Sequence, residues 1–536
     1  MYTRISTILL IASALVVFAS CQDLAVDNPN EPDRETALNT PGDVESLIAS
    51  QYLQWVNGAE KLYPGQNTSV MAQELTSSWG NFGMFDTGRI PREPIVNTPT
   101  YDYNEIVETP WYNLYAAISS SIEVIQQVED EGIQLDGDED GSETKRMVIF
   151  ARFIQGLSYS ALANHFDQAI LVDENDQLVE EDGTPIVIDE FNDYDEVLEF
   201  GLDFLDEAIT LAEDNPESFP IPGSWIRDNE LSQDEFIALI NSYKARFITS
   251  NARTPEEREA LDWDEIADLA ENGLQEDFFI DADGDMWWTY ASTYPNLDTW
   301  MRASYKLIGR KDESGEFENW LNTDHLQRSE FEIDAPDERI DGDVPYVSHV
   351  GPSAFSADRG SYFFSSYAFT RNAFLHGTGF TTGPAPQFYV TELDMYRAEA
   401  KLRNGDLEGA ADLINQTRVG IGDMDPVDAD DGYEELFNAM RYEYEIETMG
   451  SAGGLAYYQK RGWGHLKGRD YGGLPEGTPL HFPIPAEELL GVLEMDVYTF
   501  GGSQDDEWAA PAAGGSERIR DAINANNKAS EDLERH

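Results

Sequence analysis

Residues 389–422 constrain the fold of this chain most, because they predict two short helices folded back on each other. Apolar side chains recur at helical spacing on both sides of an Asn-Gly-Asp turn. Gly405 can take the left-handed conformation that ends a helix, and Asp406 can accept backbone N–H groups as the N-cap of the next helix. A tetratricopeptide-like hairpin of this kind cannot bury its apolar face alone, so further hairpins are expected to stack on it. An ordinary helical hairpin is the simpler alternative.

Helical periodicity recurs elsewhere in the chain and predicts three helix pairs with irregular spacing. The pairs are 145–166 with 194–212, 231–252 with 262–274, and 391–404 with 406–418. Single helices are predicted at 40–57, 111–128 and 433–447. The chain is therefore expected to be mostly α-helical, with stacked tetratricopeptide-like hairpins in one domain over residues 40–500.

Two stretches interrupt the helical pattern. Residues 65–110 are expected to be rich in loops, with aromatic residues among Gly, Asn, Thr and Pro. Between residues 278 and 388 helical periodicity weakens again, and short apolar pieces alternate with turns. More than a hundred residues of this kind inside a compact protein usually carry function. We therefore expect residues 278–388 to form a loop-rich insertion that carries the ligand site and little strand.

The charge balance excludes one class of partner. The chain has 103 acidic and 34 basic residues and a net charge of −69. Phosphate binding requires a basic surface, so nucleic acid is excluded. This much like charge repels itself at low salt, but at about molar ionic strength the Debye length falls to about 3 Å and screens the repulsion. The composition therefore favours a halophilic source.

The N-terminus predicts export and lipid anchoring. Residues 1–20 carry Arg4, an apolar run and then small residues, which is typical of a signal peptide too short to span a membrane. Residues 18–21, Phe-Ala-Ser-Cys, resemble a bacterial lipobox in which the acylated Cys21 becomes the first mature residue. Residues 21–39 would then be a lipid-anchored tether, and residues 501–536 a polar, mobile tail. An ordinary signal peptide cleaved nearby, with Cys21 incidental, is the alternative.

Two groups of residues fit sugar recognition, in which flat rings meet the apolar faces of pyranoses and polar side chains bind the hydroxyls. The first group is Trp79, Asn81, Phe82, Phe85, Asp86 and Arg89. The second is Trp287, Trp288, Tyr290, Tyr294 and Trp300, with Trp320, Tyr362 and Tyr367 as weaker members. Each ring has the alternative role of fastening a loop onto the helical body. The adjacent tryptophans are hard to bury together, so at least one is expected to reach a surface.

Motifs for metal binding or catalysis are few. Asp281, Asp283 and Asp285 alternate as in a calcium loop, but the bidentate Glu at the twelfth position is missing, and such spacings arise by chance in so acidic a chain. Calcium stays one hypothesis and no other cofactor is predicted. No H-E-x-x-H, G-x-S-x-G or P-loop motif occurs. No pair of carboxylates stands out for glycoside hydrolysis.

Five segments together resemble the SusD/RagB family of outer-membrane nutrient-binding lipoproteins. They are the lipobox, the hairpin with RAEA at 397–400 and INQTR at 414–418, HFPIPAEEL at 481–489, the Trp-led helix at 111–125, and the RF-x-x-x-x-Y helix at 151–166. The chain departs from the expected pattern at Phe18, where a lipobox usually has Leu, Val or Ile, and in one longer stretch. The expected E-R-x-x-E-L…E-G-x-R stretch is replaced by RYEYEIE at 441–447 and a Gly-rich segment.

The resemblance implies a helical body on the outer membrane, facing outward and touching the membrane through its lipid anchor only. It implies a lid on a SusC-like TonB-dependent transporter, which binds glycans or other oligomeric nutrients and has no catalytic activity. A surface-anchored hydrolase of oligosaccharides and a helical protein–protein adaptor are the alternatives. The sequence leaves open which nutrient is bound.

Overall fold

The computed structural model describes residues 40–177, 186–188, 190–324, 327–343, 345–351, 365–376, 382–465 and 472–502. Long helices dominate these ranges, and the strands are short. The predicted mostly α-helical class is therefore confirmed. The predicted signal peptide, Cys21, the predicted tether at 21–39 and residues 503–536 lie outside the described residues. Among the helices that are described, none is both long and apolar enough to cross a membrane.

The described helices are numbered in chain order. They are α1 Pro41–Ala49, α2 Gln51–Ala59, α3 Leu62–Met71, α4 Met84–Gly88, α5 Glu105–Glu129, α6 Ser142–His165, α7 Tyr194–Asp214, α8 Gln233–Asn251, α9 Pro255–Glu259, α10 Trp263–Glu271, α11 Tyr305–Ile308, α12 Glu316–Asn322, α13 Val390–Arg403, α14 Leu407–Arg418, α15 Tyr433–Thr448 and α16 Leu455–Trp463.

The longer helices stack in chain order. Helix α5 packs on α6, α6 on α7, α7 on α8, and the series continues through α10, α13, α14 and α15. The three predicted helix pairs appear in this stack as α6 with α7, α8 with α10, and α13 with α14. Each hairpin buries its apolar stripe against the next one, which is how tetratricopeptide-like repeats obtain a continuous core.

The turn between α13 and α14 has the predicted geometry. Gly405 has a φ of +78°. The Asp406 carboxylate accepts the backbone N–H of Gly409 at 2.9 Å, as an N-cap does. The sequence therefore specifies this hairpin locally, at both the end of one helix and the start of the next.

Two acidic residues of the hairpin, Glu392 and Glu399, are buried inside the fold. Glu399 is completely buried on α13 and accepts two hydrogen bonds from the guanidinium of Arg258, at 2.8 and 2.7 Å. Gly462 of α16 packs over the same arginine, since a Cβ there would lie 2.8 Å from Arg258 Cδ. One buried ion pair thus joins α9, α13 and α16.

Eight short strands form four antiparallel pairs in the described ranges. The pairs are β1 Leu75–Thr76 with β5 Arg302–Ala303, β2 Gln168–Ala169 with β3 Asn192–Asp193, β4 Phe278–Asp283 with β8 Thr382–Phe388, and β6 Val347–His349 with β7 Tyr367–Phe369. Five of these eight strands lie in the insertion at 278–388. The expected loop-rich insertion with little strand is confirmed.

The expectation of loops throughout residues 65–110 is wrong at both ends. Helix α3 occupies 62–71, and α5 already begins at Glu105. Helix α3 is buried on all sides from Pro64 to Met71, so it shows no amphipathic period. Two of its small polar side chains bond inside the protein, since Thr68 Oγ1 donates to the Gly453 carbonyl at 2.9 Å and Ser69 Oγ donates to the Glu74 carboxylate at 2.7 Å. Helix α16, which no sequence pattern predicts, is buried in the same way.

Candidate functional site

Members of the two predicted groups meet in one place, which we call the aromatic surface. It consists of Tyr63, Trp79, Phe82, Tyr294 and Trp300, all half-buried. Neighbouring ring centroids are 4.9 to 6.3 Å apart, within the usual range for aromatic pairs. Trp300 is central, because its ring contacts those of Trp79, Phe82 and Tyr294. The rings therefore support one another while each keeps part of its face accessible to solvent.

Strand pairing brings Trp79 and Trp300 together across more than two hundred residues of sequence. In the β1–β5 pair, Leu75 lies opposite Ala303 and Thr76 opposite Arg302. Side chains then fix the segments next to these strands. Trp79 Nε1 donates to the Thr299 carbonyl at 2.8 Å, and Ser77 Oγ donates to the Trp300 carbonyl at 2.7 Å. The two tryptophans are thus held by backbone contacts as well as by ring packing.

Phe82 is held in a backbone conformation that non-glycine residues rarely adopt. Its φ is +58°, in the left-handed region, and its carbonyl accepts a hydrogen bond from Asn67 Nδ2 at 2.9 Å. The next residue, Gly83, has a φ of +68°, and a Cβ there would lie 2.6 Å from Ile106 Cδ1. This turn is therefore pressed against α5. Residues strained in this way concentrate at functional sites, where the surrounding structure holds them.

Polar groups border the rings. Asn81 is exposed between Trp79 and Phe82. Asp298 is half exposed and lies 3.8 Å from the buried Arg302 guanidinium. Burial raises the pKa of the Tyr63 hydroxyl, and the nearby Glu105 adds to the effect, so this hydroxyl stays protonated. Amide, carboxylate and phenol groups beside flat rings are what the binding of a sugar requires.

The rest of the first predicted group lies on or just after α4, and one member, Asp86, lines a neighbouring pocket. Phe85 and Asp86 lie on α4, and the Asp86 carboxylate accepts the Tyr101 hydroxyl at 2.7 Å. Burial and this hydrogen bond together raise the pKa of Tyr101. Asp86 and Tyr101 line a small pocket together with Ile106 and Val107 of α5. Arg89, just after α4, forms an ion pair with Glu93 at 2.8 Å.

Several predicted rings lie in the core instead and do not line the aromatic surface. Trp287 is 8% exposed and stacks on Tyr52, Tyr290 is fully buried, and Trp320 is 6% exposed and packs on Tyr305. Trp287 and Tyr290 fasten the insertion to the helical body, whereas Trp320 packs within the insertion. Trp288 is half-buried, with the Lys61 ammonium 4.6 Å from its ring centre. One member of the tryptophan pair therefore reaches the surface, as expected.

Of the weaker candidates, Tyr367 is buried in β7, and Tyr362 lies outside the described residues. Tyr63 joins the aromatic surface although no motif marks it. The sequence next to Tyr63 shows only that a proline, Pro64, follows it, which does not predict a place in the site.

The three aspartates of the calcium hypothesis do not converge. Asp281 and Asp283 lie in β4, and Asp285 follows in the turn. One Asp283 oxygen accepts the backbone N–H groups of Asp285 and Trp287, at 2.9 and 3.0 Å, and the carboxylate also lies 3.5 Å from Arg227. Nowhere in the described ranges do three His, Cys, Asp or Glu side chains come close enough to hold a metal ion. The three aspartates therefore belong to the end of β4 and the turn that follows it.

Comparison with known proteins identifies the architecture. No protein-family model and no curated protein matches the sequence. Among solved structures, a SusD superfamily protein from Parabacteroides distasonis superposes with a TM-score of 0.54 at 15% identity, over 85% of this chain and 98% of its own. The chain has the SusD-like fold. A SusD-like protein from Bacteroides fragilis gives a TM-score of 0.54 at 14% identity, over 86% and 96%.

A SusD superfamily protein from Bacteroides vulgatus extends the comparison, with a TM-score of 0.52 at 16% identity over 86% of this chain and 99% of its own. The SusD-like fold therefore spans nearly the whole length of these structures. Identities this low establish the fold alone, and function has to be argued from the site. In this SusD-like fold, the aromatic surface lies where the insertion joins α3 and the helical stack.

Proposed function

We propose that this protein binds glycans or other oligomeric nutrients at the aromatic surface. It would deliver them to a SusC-like TonB-dependent transporter while anchored to the outer membrane through acylated Cys21, facing outward. The observation that carries the proposal is the contact among five half-buried rings from three separate segments of the chain. The SusD-like fold and the predicted lipobox support the delivery role.

The chemistry of the surface favours an uncharged, ring-shaped ligand unit. Accessible aromatic faces gain by covering apolar patches such as the C–H face of a pyranose. Two segments that contribute rings also contribute polar groups, Asn81 from one and Asp298 from the other. A sugar unit lying on Trp79 and Trp300 would meet these groups at its hydroxyls.

Binding without turnover is the expected behaviour. The carboxyl groups whose pKa burial raises to about 7 or 8 are Glu60, Glu74 and Asp167, and all three are buried in the body. A glycosidase needs two carboxyl groups flanking its substrate. We therefore propose that the protein is a binding protein and that any hydrolysis belongs to its partners.

Substitution of the central ring tests the proposal. The variants Trp300→Ala and Trp79→Ala are compared with the wild type by calorimetry on maltoheptaose, cellohexaose and xylohexaose. Loss of a tryptophan at the centre of a binding site usually costs at least about 2 kcal/mol, so affinity should fall more than tenfold. Tyr433→Ala, which removes an exposed ring on α15, is the matched control and should bind as the wild type does.

Other outcomes separate the alternatives. Unchanged affinity in both tryptophan variants would place the ligand elsewhere. Release of shorter sugars during incubation would favour the hydrolase. Failure to bind any glycan, together with stable binding to a protein partner, would favour the adaptor. The delivery role is tested by Cys21→Ala, which should free the protein from membranes and lose the transporter on co-purification.

A further inference from the structure

Glu60 lies at the junction between the two parts of the aromatic surface. It follows α2, and its backbone carbonyl accepts the Tyr290 N–H at 2.7 Å. Tyr290 begins the segment that carries Tyr294 and Trp300, whereas Tyr63 follows Glu60 by three residues. Lys61 adds a second link, since its ammonium donates to the Met286 carbonyl at 2.8 Å. Residues 60–63 therefore hold the insertion segment 286–300 at two points.

The Glu60 side chain is buried beside an arginine that another carboxylate already occupies. The side chain is 4% exposed, and its Oε1 lies 3.6 Å from Arg246 Nη1. The same guanidinium donates to both oxygens of Glu392, at 2.8 and 2.7 Å, and to the Gln387 carbonyl at 2.8 Å. Among the described residues, none forms a hydrogen bond with Glu60 Oε2. An ionised Glu60 would thus be a second carboxylate on a guanidinium that Glu392 already neutralises.

The other groups facing Glu60 do not provide a second cation. They are Tyr52 on α2, Tyr243 on α8, Gln387 on β8 and Glu392 on α13, and His165 on α6 and Tyr458 on α16 line the same pocket as Glu60 and Arg246. Burial lowers the pKa of His165 to about 3, so its imidazole is neutral. Burial raises the pKa of Glu60 to about 8, with Glu392 adding to the shift and Arg246 and Gln387 opposing it. An unpaired charge in such a place costs several kcal/mol, and protein groups usually avoid it by taking up a proton or by moving.

We propose that Glu60 is a positioning residue that holds the two parts of the aromatic surface together as a neutral carboxylic acid, and that ligand binding weakens when it loses its proton to solvent. The ligand part of this inference rests on the proposed function. Ionisation would draw the segment that carries Glu60 toward water, or it would draw Arg246 away from Glu392. Either movement would strain the hydrogen bond between Glu60 and Tyr290. It would therefore change the distance between the rings of Tyr63 and Tyr294.

The first test is the pH dependence of affinity for the neutral oligosaccharide that the wild type binds best among maltoheptaose, cellohexaose and xylohexaose. At pH 9 roughly one molecule in ten keeps a neutral Glu60, so affinity should fall about tenfold from its value at pH 6. Glu60→Gln, which is neutral at every pH, should bind equally at both. The inference is wrong if wild-type affinity does not depend on pH, or if affinity falls equally in Glu60→Gln.

Two controls address other groups that titrate nearby. Burial lowers the pKa of Lys61 to about 8, so it loses its charge in the same range. Lys61→Arg stays charged at pH 9 and should still show the wild-type fall; loss of the fall in this variant would assign the effect to Lys61. Glu74→Gln removes a buried carboxyl group whose pKa is raised to about 7 and which directly precedes β1. It should also keep the fall, and loss of the fall in this variant would assign the effect to Glu74.

A second measurement requires no ligand. Hydrogen–deuterium exchange at the Tyr290 amide, corrected for its intrinsic rate, should lose protection between pH 6 and pH 9 in the wild type and not in Glu60→Gln. If protection changes as expected but no glycan binds, only the proposed function fails. If protection does not change, the inference fails even where glycans bind.

A second variant covers the case in which Glu60→Gln does not fold. Glu392→Gln frees Arg246 to neutralise an ionised Glu60, so it should reduce the dependence on pH in both measurements. A full wild-type dependence in Glu392→Gln would contradict the charge balance on which the inference depends.

Discussion

At the scale of single residues, the site depends on backbone conformations that few side chains tolerate. Phe82 and Gly83 both have positive φ, and together they turn the Phe82 ring toward Tyr294 and Trp300. Gly405 has a similar φ of +78° but ends a helix on the protein surface, with nothing within 4 Å of where a Cβ would lie. Comparing Gly83 with Gly405 therefore separates the energetic cost of a positive φ from the cost of a steric contact at the added Cβ.

Alanine at each glycine is expected to have a different effect. Gly405→Ala should cost about 1 kcal/mol of stability, the usual penalty for a left-handed alanine. Gly83→Ala should cost clearly more, because its Cβ would also meet Ile106 Cδ1 at 2.6 Å, and it should weaken glycan binding by displacing Phe82. Urea denaturation and calorimetry measure both quantities. Equal stability losses, or full binding by Gly83→Ala, would contradict this role of the turn.

Single residues also show how far the sequence predicts the site. Trp79, Phe82, Tyr294 and Trp300 can each be chosen as a ring in a loop-rich stretch, but nothing local says that they touch. Their contact depends on the pairing of β1 with β5, two strands of two residues each, which have too little sequence for a periodic signal. Burial of Trp287 is likewise a tertiary property, since its neighbour Trp288 has the same side chain and remains accessible.

At the scale of elements, the sequence predicts a helix best when one face of that helix is exposed to solvent. Helices α13 and α14 have an apolar face and a polar face, and their pattern predicts both their bounds and their packing. Helices α3 and α16 are buried all round and include Gly, Asn, Gln, Lys and Arg, so no polar face marks them as helices against the core. Several of their polar groups are bonded inside the protein, as when Lys460 lies 2.8 Å from Glu445.

Buried ion pairs between elements should therefore be essential for stability. Glu399→Ala would leave Arg258 buried without its carboxylate, and removing one member of a buried pair costs about 3 to 5 kcal/mol. Lys401→Ala, on the same helix, breaks only an exposed pair with Asp406 and should cost less than about 1 kcal/mol. Guanidinium denaturation compares the two. Similar losses would show that the buried pair does not join α9 to α13 energetically.

At the scale of the whole molecule, the fold makes the surface more acidic than the composition suggests. Among the described residues, eleven of the 34 basic side chains are buried, and so are ten of the 103 acidic ones. Elsewhere in the chain about four acidic residues remain for each basic one, compared with about three in the whole composition. The stack and the insertion thus use arginines as internal partners and leave carboxylates facing water.

Stability is therefore expected to depend on salt. Exposed carboxylates repel one another in dilute buffer, and at about 1 M salt the Debye length falls to about 3 Å, shorter than most distances between surface charges. The unfolding temperature should rise steeply with NaCl up to about this concentration and then level off. Sorbitol at equal osmolality screens no charge and should give a smaller rise. A protein indifferent to NaCl, or stabilised equally by sorbitol, would show that surface repulsion does not limit its stability and would remove the argument for a halophilic source.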